Sequence, residues 1–166
     1  ARYCGADVDF VDIDPRSCNM DVRALEAKLE RANKRPKAVI PVHLGGLPCD
    51  MSEIGRLARR YGFKVIEDAS HALGSTYRGA RVGNSRFSDI TVLSFHPVKL
   101  ITSAEGGMAT TSDPALARRM ALLRTHGITR EPAEMTHEPD GPWYYQQTEL
   151  GLNYRMTDVH AALGSS

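Results

Sequence analysis

The chain has 166 residues and is 42% hydrophobic, with 21 Lys and Arg against 20 Asp and Glu for a formal net charge of +1. That balance carries no footprint of nucleic-acid or anionic-membrane binding, and no apolar run approaches the length of a membrane-spanning helix. The cysteines Cys4, Cys18 and Cys49 lack CxxC spacing, and neither they nor the histidines form a metal-ligand pattern, so packed thiols of a reducing, cytoplasmic compartment are expected.

In chain order, Val8 to Ile13 alternates as a short strand, VDFVDI. Asp21 leads a helix with Val22, Leu25 and Leu29 on one stripe. Lys37 to His43 contains the apolar strand AVIPV, and Asp50 with Glu53 makes a start of the capping-box kind for a second helix. Ile54, Leu57, Ala58 and Tyr61 form the buried face of that helix, and Gly62 suits its C-terminal end. FKVIE, Phe63 to Glu67, is the next strand. Strands alternating with helices at this spacing predict an α/β fold with a mainly parallel sheet and flanking helices. Ile90 to Phe95 reads as a buried strand, and Met108 to Thr111 as another after a small-residue turn. Asp113-Pro114 starts a helix that runs to about His126 and ends at Gly127. Residues 127–150 read as a long loop carrying Trp143, Tyr144 and Tyr145. The chain starts near a strand and stops inside a helix, so it is expected to be an internal piece of a larger protein.

Open parallel sheets bind ligands beyond the carboxyl ends of their strands. Asp68 stands there after FKVIE, and Lys99 follows the strand that begins at Ile90. Gly74, Ser75, Gly79 and Gly83 lie between them and let the backbone bend close to a ligand. An acid at one strand end and a lysine past another suit pyridoxal 5′-phosphate (PLP), whose aldehyde takes a lysine and whose ring nitrogen takes a carboxylate. The residues alone leave other readings open: a lysine on a surface turn, and an aspartate serving as a cap or turn.

The stretches VIEDASHALGS, SFHPVKLITSAEGGM and LGLNYRMTDVHAALG, in that order, resemble the DegT/DnrJ/EryC1/StrS family of PLP-dependent sugar aminotransferases, and the likeness runs from Tyr3 through Leu163. The resemblance implies the aspartate-aminotransferase-like fold, fold type I, with residues 1–166 an internal piece of the PLP-binding large domain. The family's upstream phosphate-binding segment and its smaller C-terminal domain would lie outside the piece. It implies that Lys99 is the Schiff-base lysine, Asp68 the partner of the pyridine nitrogen and His71 a partner of the ring hydroxyl. Ser94 would hold the phosphate, and Asn153 would reach the phosphate of the neighbouring subunit in a homodimer. Turn or packing roles are the alternatives for His71, Ser94 and Asn153. For His43 and for Trp143, Tyr144 and Tyr145, packing is preferred over a substrate contact.

HPVK, RTHGITREP and PWYYQQTELGLNYRMTD look most like the branch that makes pseudaminic acid. That branch transaminates a UDP-linked 4-keto-6-deoxy-N-acetylhexosamine, with L-glutamate as amino donor. Ala104 departs from the family, which commonly has glycine there. Lys99 argues against the family's dehydratases, in which a histidine replaces the lysine, and Cys49 lacks the mobile-loop setting of a desulfurase. An aminotransferase acting on a dTDP- or GDP-linked sugar and a non-catalytic regulator on the same fold remain the competing readings.

Overall fold

The computed structural model describes residues 1–166. Helix α1 (Val22–Arg31) starts where Asp21 accepts hydrogen bonds from the N–H groups of Arg23 and Ala24, two donors that a helix start leaves unpaired. Its Leu25 and Leu29, one turn apart, are buried. Strand β1 (Ala38–Val39) follows, then α2 (Met51–Tyr61), where Asp50 accepts from Glu53 N–H and Gly62 closes the helix in the left-handed conformation. Ile54 and Leu57 of α2 are fully buried and join Leu25, Leu29, Val39, Phe63 and Val65 in the main core. Burial of each such side chain contributes roughly 1.5–3 kcal/mol.

Strand β2 (Lys64–Asp68) precedes a small hairpin of β3 (Thr76–Tyr77) and β4 (Ala80–Arg81), and β5 (Ile90–Ser94) and β6 (Gly107–Thr110) complete the strands of the main sheet. The order across the sheet is β1-β2-β5-β6, with β1, β2 and β5 parallel and β6 antiparallel to β5. Side chains alternate across this sheet. Val65, Glu67, Thr91 and Leu93 are buried on one face, whereas Ile66, Asp68, Ile90, Val92 and Ser94 on the other are half-buried or exposed.

Helix α3 (Pro114–Arg124) is capped by Asp113, which accepts from Ala115 and Leu116 N–H. The 127–150 stretch is not all loop, because β7 (Ile128–Thr129) and β8 (Gln146–Gln147) pair antiparallel across its base. Gly127 sits there at φ 69°, and a Cβ on it would collide with the Glu149 carbonyl oxygen, so two backbones meet where only glycine fits. Helix α4 (Asp158–Ser165) starts at Thr157, whose hydroxyl accepts from His160 N–H.

Several strand expectations are corrected. Val8 to Ile13 is not a strand: only Ile13 is paired, bridging Met20, and Phe10 is exposed. Alternation alone does not make a strand where no neighbouring backbone supplies a ladder. The strand AVIPV, Ala38 to Val42, is shortened to Ala38–Val39, because Pro41 has no N–H to give; pairing resumes as a bridge from Val42 to Asp68. Phe63 lies outside β2, and Asp68 is the last residue of that strand rather than the first beyond it.

Ala104 adopts φ 65°, the left-handed conformation that glycine takes without cost. Ala104→Gly is therefore expected to stabilise the folded protein by up to about 1 kcal/mol, read as a raised midpoint in urea unfolding.

Candidate active site

Backbone pairing fixes Asp68 before its side chain is considered. Its N–H donates to the Pro41 carbonyl at 2.9 Å, and its own carbonyl accepts from His43 N–H at 3.0 Å. The carboxylate accepts one hydrogen bond, from Ser70 N–H to Oδ1 at 3.1 Å, and its other oxygen has no protein partner. Ser94 ends the neighbouring parallel strand on the same face, and its hydroxyl accepts a long contact of 3.4 Å from His96 N–H. Lys99 follows in the turn after β5, where its N–H donates to the His96 carbonyl at 3.0 Å. The Lys99 side chain is half-buried and is in none of the ion pairs of the chain. His71 lies in the turn after β2, exposed, and its Nδ1 accepts from Gly45 N–H at 3.4 Å, which leaves Nε2 without a partner.

Asp68 and Ser94, the last residues of β2 and β5, and His71 and Lys99, in the turns that follow, thus belong to one end of the sheet. Asn153 is held elsewhere, bridged to Thr125 at the end of α3 and exposed to solvent. No hydrogen bond connects it to the other four. Its segment does run back to the turn after Lys99, where Met156 packs so closely that a Cβ on Gly106 would strike its methyl group. Two cavities, of about 20 and 380 Å³, lie against α2 and the stretch from Arg81 to Asp89, and neither is lined by Asp68, Ser94 or Lys99.

The donor set fits PLP. A spare carboxylate oxygen suits a protonated ring nitrogen, a lysine amine outside any ion pair suits an aldehyde, and a strand-end hydroxyl suits a phosphate oxygen.

The residue that the sequence analysis passed over is Glu67. Alternation along FKVIE sends it to the core side, opposite Asp68, where a carboxylate needs partners. His43 Nε2 donates to Glu67 Oε2 at 2.7 Å, Thr91 Oγ1 donates to Oε1 at 3.1 Å, and Ser88 Oγ donates to the same oxygen. His43 is itself fully buried and its Nδ1 accepts from Cys49 N–H at 3.2 Å, which assigns the proton to Nε2 and leaves the ring neutral. Burial pushes the Glu67 carboxyl up, but the hydrogen bonds from His43, Ser88 and Thr91 outweigh it and hold the group below its ordinary value of 4.5. The unfolded chain therefore binds the extra proton, so the stability this carboxylate contributes is complete above pH 4.5 and is lost as pH falls through its folded value.

Burial pushes the Cys49 thiol up to about 11, and the residue is 1% exposed. In the native protein Cys49 should resist iodoacetamide at pH 8 and react only after denaturation, while Cys4 and Cys18, both exposed, set the comparison; peptide mass mapping reads the outcome. That chemistry is the reverse of a reactive, mobile-loop thiol.

On the 127–150 stretch, Trp143 is 68% exposed and Tyr145 52% exposed within this chain. The Arg130 guanidinium lies 5.8 Å over the Tyr145 ring, and Tyr144 is tied to His137 and Gln146.

A mainly parallel sheet with an acid ending one strand and a lysine in the turn after another fits the class of PLP-fold transferases, and likeness to known proteins narrows it. The whole chain, residues 1–166, matches the DegT/DnrJ/EryC1/StrS aminotransferase family, to which it belongs. It is 44% identical to a GDP-perosamine synthase of Caulobacter vibrioides, over 98% of this chain and 39% of that protein. It is 41% identical to a UDP-4-amino-4,6-dideoxy-N-acetyl-beta-L-altrosamine transaminase of Campylobacter jejuni, over 99% of this chain and 40% of that one. Among solved structures it resembles Helicobacter pylori PseC, an aminotransferase involved in the biosynthesis of pseudoaminic acid, with a TM-score of 0.86 and 31% identity over 99% of this chain and 40% of that chain. The chain therefore spans about two fifths of the length of the relatives it matches. These likenesses bear out the expected family and fold class.

Proposed function

We propose that the full-length protein is a PLP-dependent aminotransferase that moves the amino group of L-glutamate to C4 of a UDP-linked 4-keto-6-deoxy-N-acetylhexosamine. The observation that carries this reading is the placement of Asp68 and Ser94 on one sheet face at the ends of neighbouring strands, with Lys99 following in the next turn, its amine in no ion pair. Cofactor-binding roles follow the resemblance: Lys99 and Asp68, with His71, Ser94 and Asn153 of the neighbouring subunit in a homodimer. A cytoplasmic site of action accords with three free cysteines.

PLP, when bound, supplies an electron sink for the carbon that loses a proton. Asp68 would hold a proton on the ring nitrogen of the cofactor, a charge-assisted hydrogen bond that contributes about 1.5–3 kcal/mol. Ser70 N–H keeps the carboxylate turned to that side of the strand end. Lys99 Nζ would hold the aldehyde of the cofactor and, when free, its amine would take the proton from the donor Cα. In the second half of the cycle the same amine delivers a proton to C4 of the sugar. Positioned proton transfer of this kind contributes about 10²–10⁴ in rate.

The UDP moiety rests on the 127–150 stretch. Trp143 and Tyr145 expose amphipathic rings suited to a uracil or sugar face, and Arg130 adds a cation for a diphosphate. A second reading has an observation of its own: a GDP-perosamine synthase is 44% identical, against 41% for the UDP-sugar transaminase. Glutamate-dependent amination assayed over UDP-, GDP- and dTDP-linked 4-keto sugars tests both. Turnover of the UDP compound is expected; turnover of the GDP or dTDP compound alone would discard the substrate and keep the aminotransferase. No amination of any keto sugar would leave the non-catalytic regulator.

A further inference from the structure

The side chain of His43 and its backbone act on two consecutive residues of one strand. Nε2 donates to the Glu67 carboxylate at 2.7 Å on the core face, while the His43 N–H donates at 3.0 Å to the carbonyl of Asp68, whose own side chain emerges on the opposite face. The other side of the ring is anchored by Cys49 N–H at the approach to α2. Glu67 is tied across to β5 by Thr91 and to the preceding turn by Ser88. A small cavity of about 20 Å³ lies beside Glu67, with room for little more than one water.

We propose that the buried His43–Glu67 pair is a positioning device that sets the end of β2, and through it the angle at which Asp68 meets the ring nitrogen of the cofactor. The proposal rests on the role given above to Asp68. A buried acid that only filled space would be replaceable by an apolar residue of its shape. This one ties β2 to β5 and to the segment that follows β1, one residue before Asp68 ends its strand. A shift of the strand end by a fraction of an ångström changes the donor–acceptor geometry at Asp68 without removing any group that touches substrate.

The test is a double-mutant cycle in the full-length protein with Glu67→Gln and Asp68→Asn, read both as kcat and as equilibrium affinity of the apoprotein for PLP. Glu67→Gln alone is expected to lower kcat about 10-fold and to weaken PLP binding, with little change in the KM for glutamate. In the Asp68→Asn background the same change should cost less than about 2-fold in either readout, because its route of action is already gone. Equal losses in both backgrounds would make Glu67 a stability element and overturn the proposal. Wild-type turnover in Asp68→Asn by itself would instead overturn the role of Asp68 on which the proposal stands.

Where Glu67→Gln does not fold, the cycle is run with two His43 variants. His43→Asn keeps an acceptor near the Nδ1 position and drops the contact to Glu67, whereas His43→Gln keeps a donor near Nε2. Loss in the first with recovery in the second supports positioning. Equal behaviour of the two, or failure of both to fold, overturns it.

Discussion

Lys99→Ala abolishes the visible-edge absorption band of the PLP-loaded protein and removes at least about 10²–10⁴ of the amination rate, the worth of a positioned proton carrier. The expectation rests on one chemical fact and one structural one. Covalent attachment to an aldehyde and the removal of a proton from the donor Cα both require an uncharged amine, and an amine already held in an ion pair is withdrawn from that chemistry. Lys99 is half-buried and in no ion pair, whereas Lys28 is paired with Asp9 at 2.7 Å and Lys64 with Asp89 at 2.8 Å. Cofactor should still bind non-covalently to the variant, through Asp68 and Ser94. Borohydride reduction of the wild-type holoprotein followed by peptide mapping should label Lys99. A label on Lys64 or any other lysine would remove Lys99 from the chemistry.

Asp68→Asn keeps the shape of the side chain and its contact with Ser70 N–H but gives up the charge. Turnover should fall by about 10²–10³, the loss usual when one preorganised electrostatic group is removed, with a smaller loss of PLP affinity. The reason for the split is that the carboxylate acts most strongly when negative charge builds on the ring, and less strongly in the ground state. Steady-state kinetics with a parallel PLP titration separates the two effects. Unchanged turnover would reduce Asp68 to the residue that ends β2 and closes a turn onto Ser70.

Composition and pattern alone determined a good deal about this protein. The helical stripe of Leu25 and Leu29, the caps at Asp21, Asp50 and Asp113, and the stop at Gly62 are local, set by side chains acting on backbone groups within a turn. The placement of Asp68 at the end of one strand, off by one residue, and of Lys99 past another follows from the same local reading, and the long motifs around them carried the family. Tertiary structure alone decided which alternating segments found partners. Val8 to Ile13 alternates as well as FKVIE does, yet only the latter lies between β1 and β5 and becomes a strand. Three-dimensional packing also decided what stands behind Asp68. Glu67 is adjacent in sequence, but its partners are His43, Ser88 and Thr91, brought to it by the segment after β1, the turn before β5 and β5 itself. Period-two alternation tells which face a residue takes; which residues meet it on that face is set by strand order and register, which exist only once the sheet has formed.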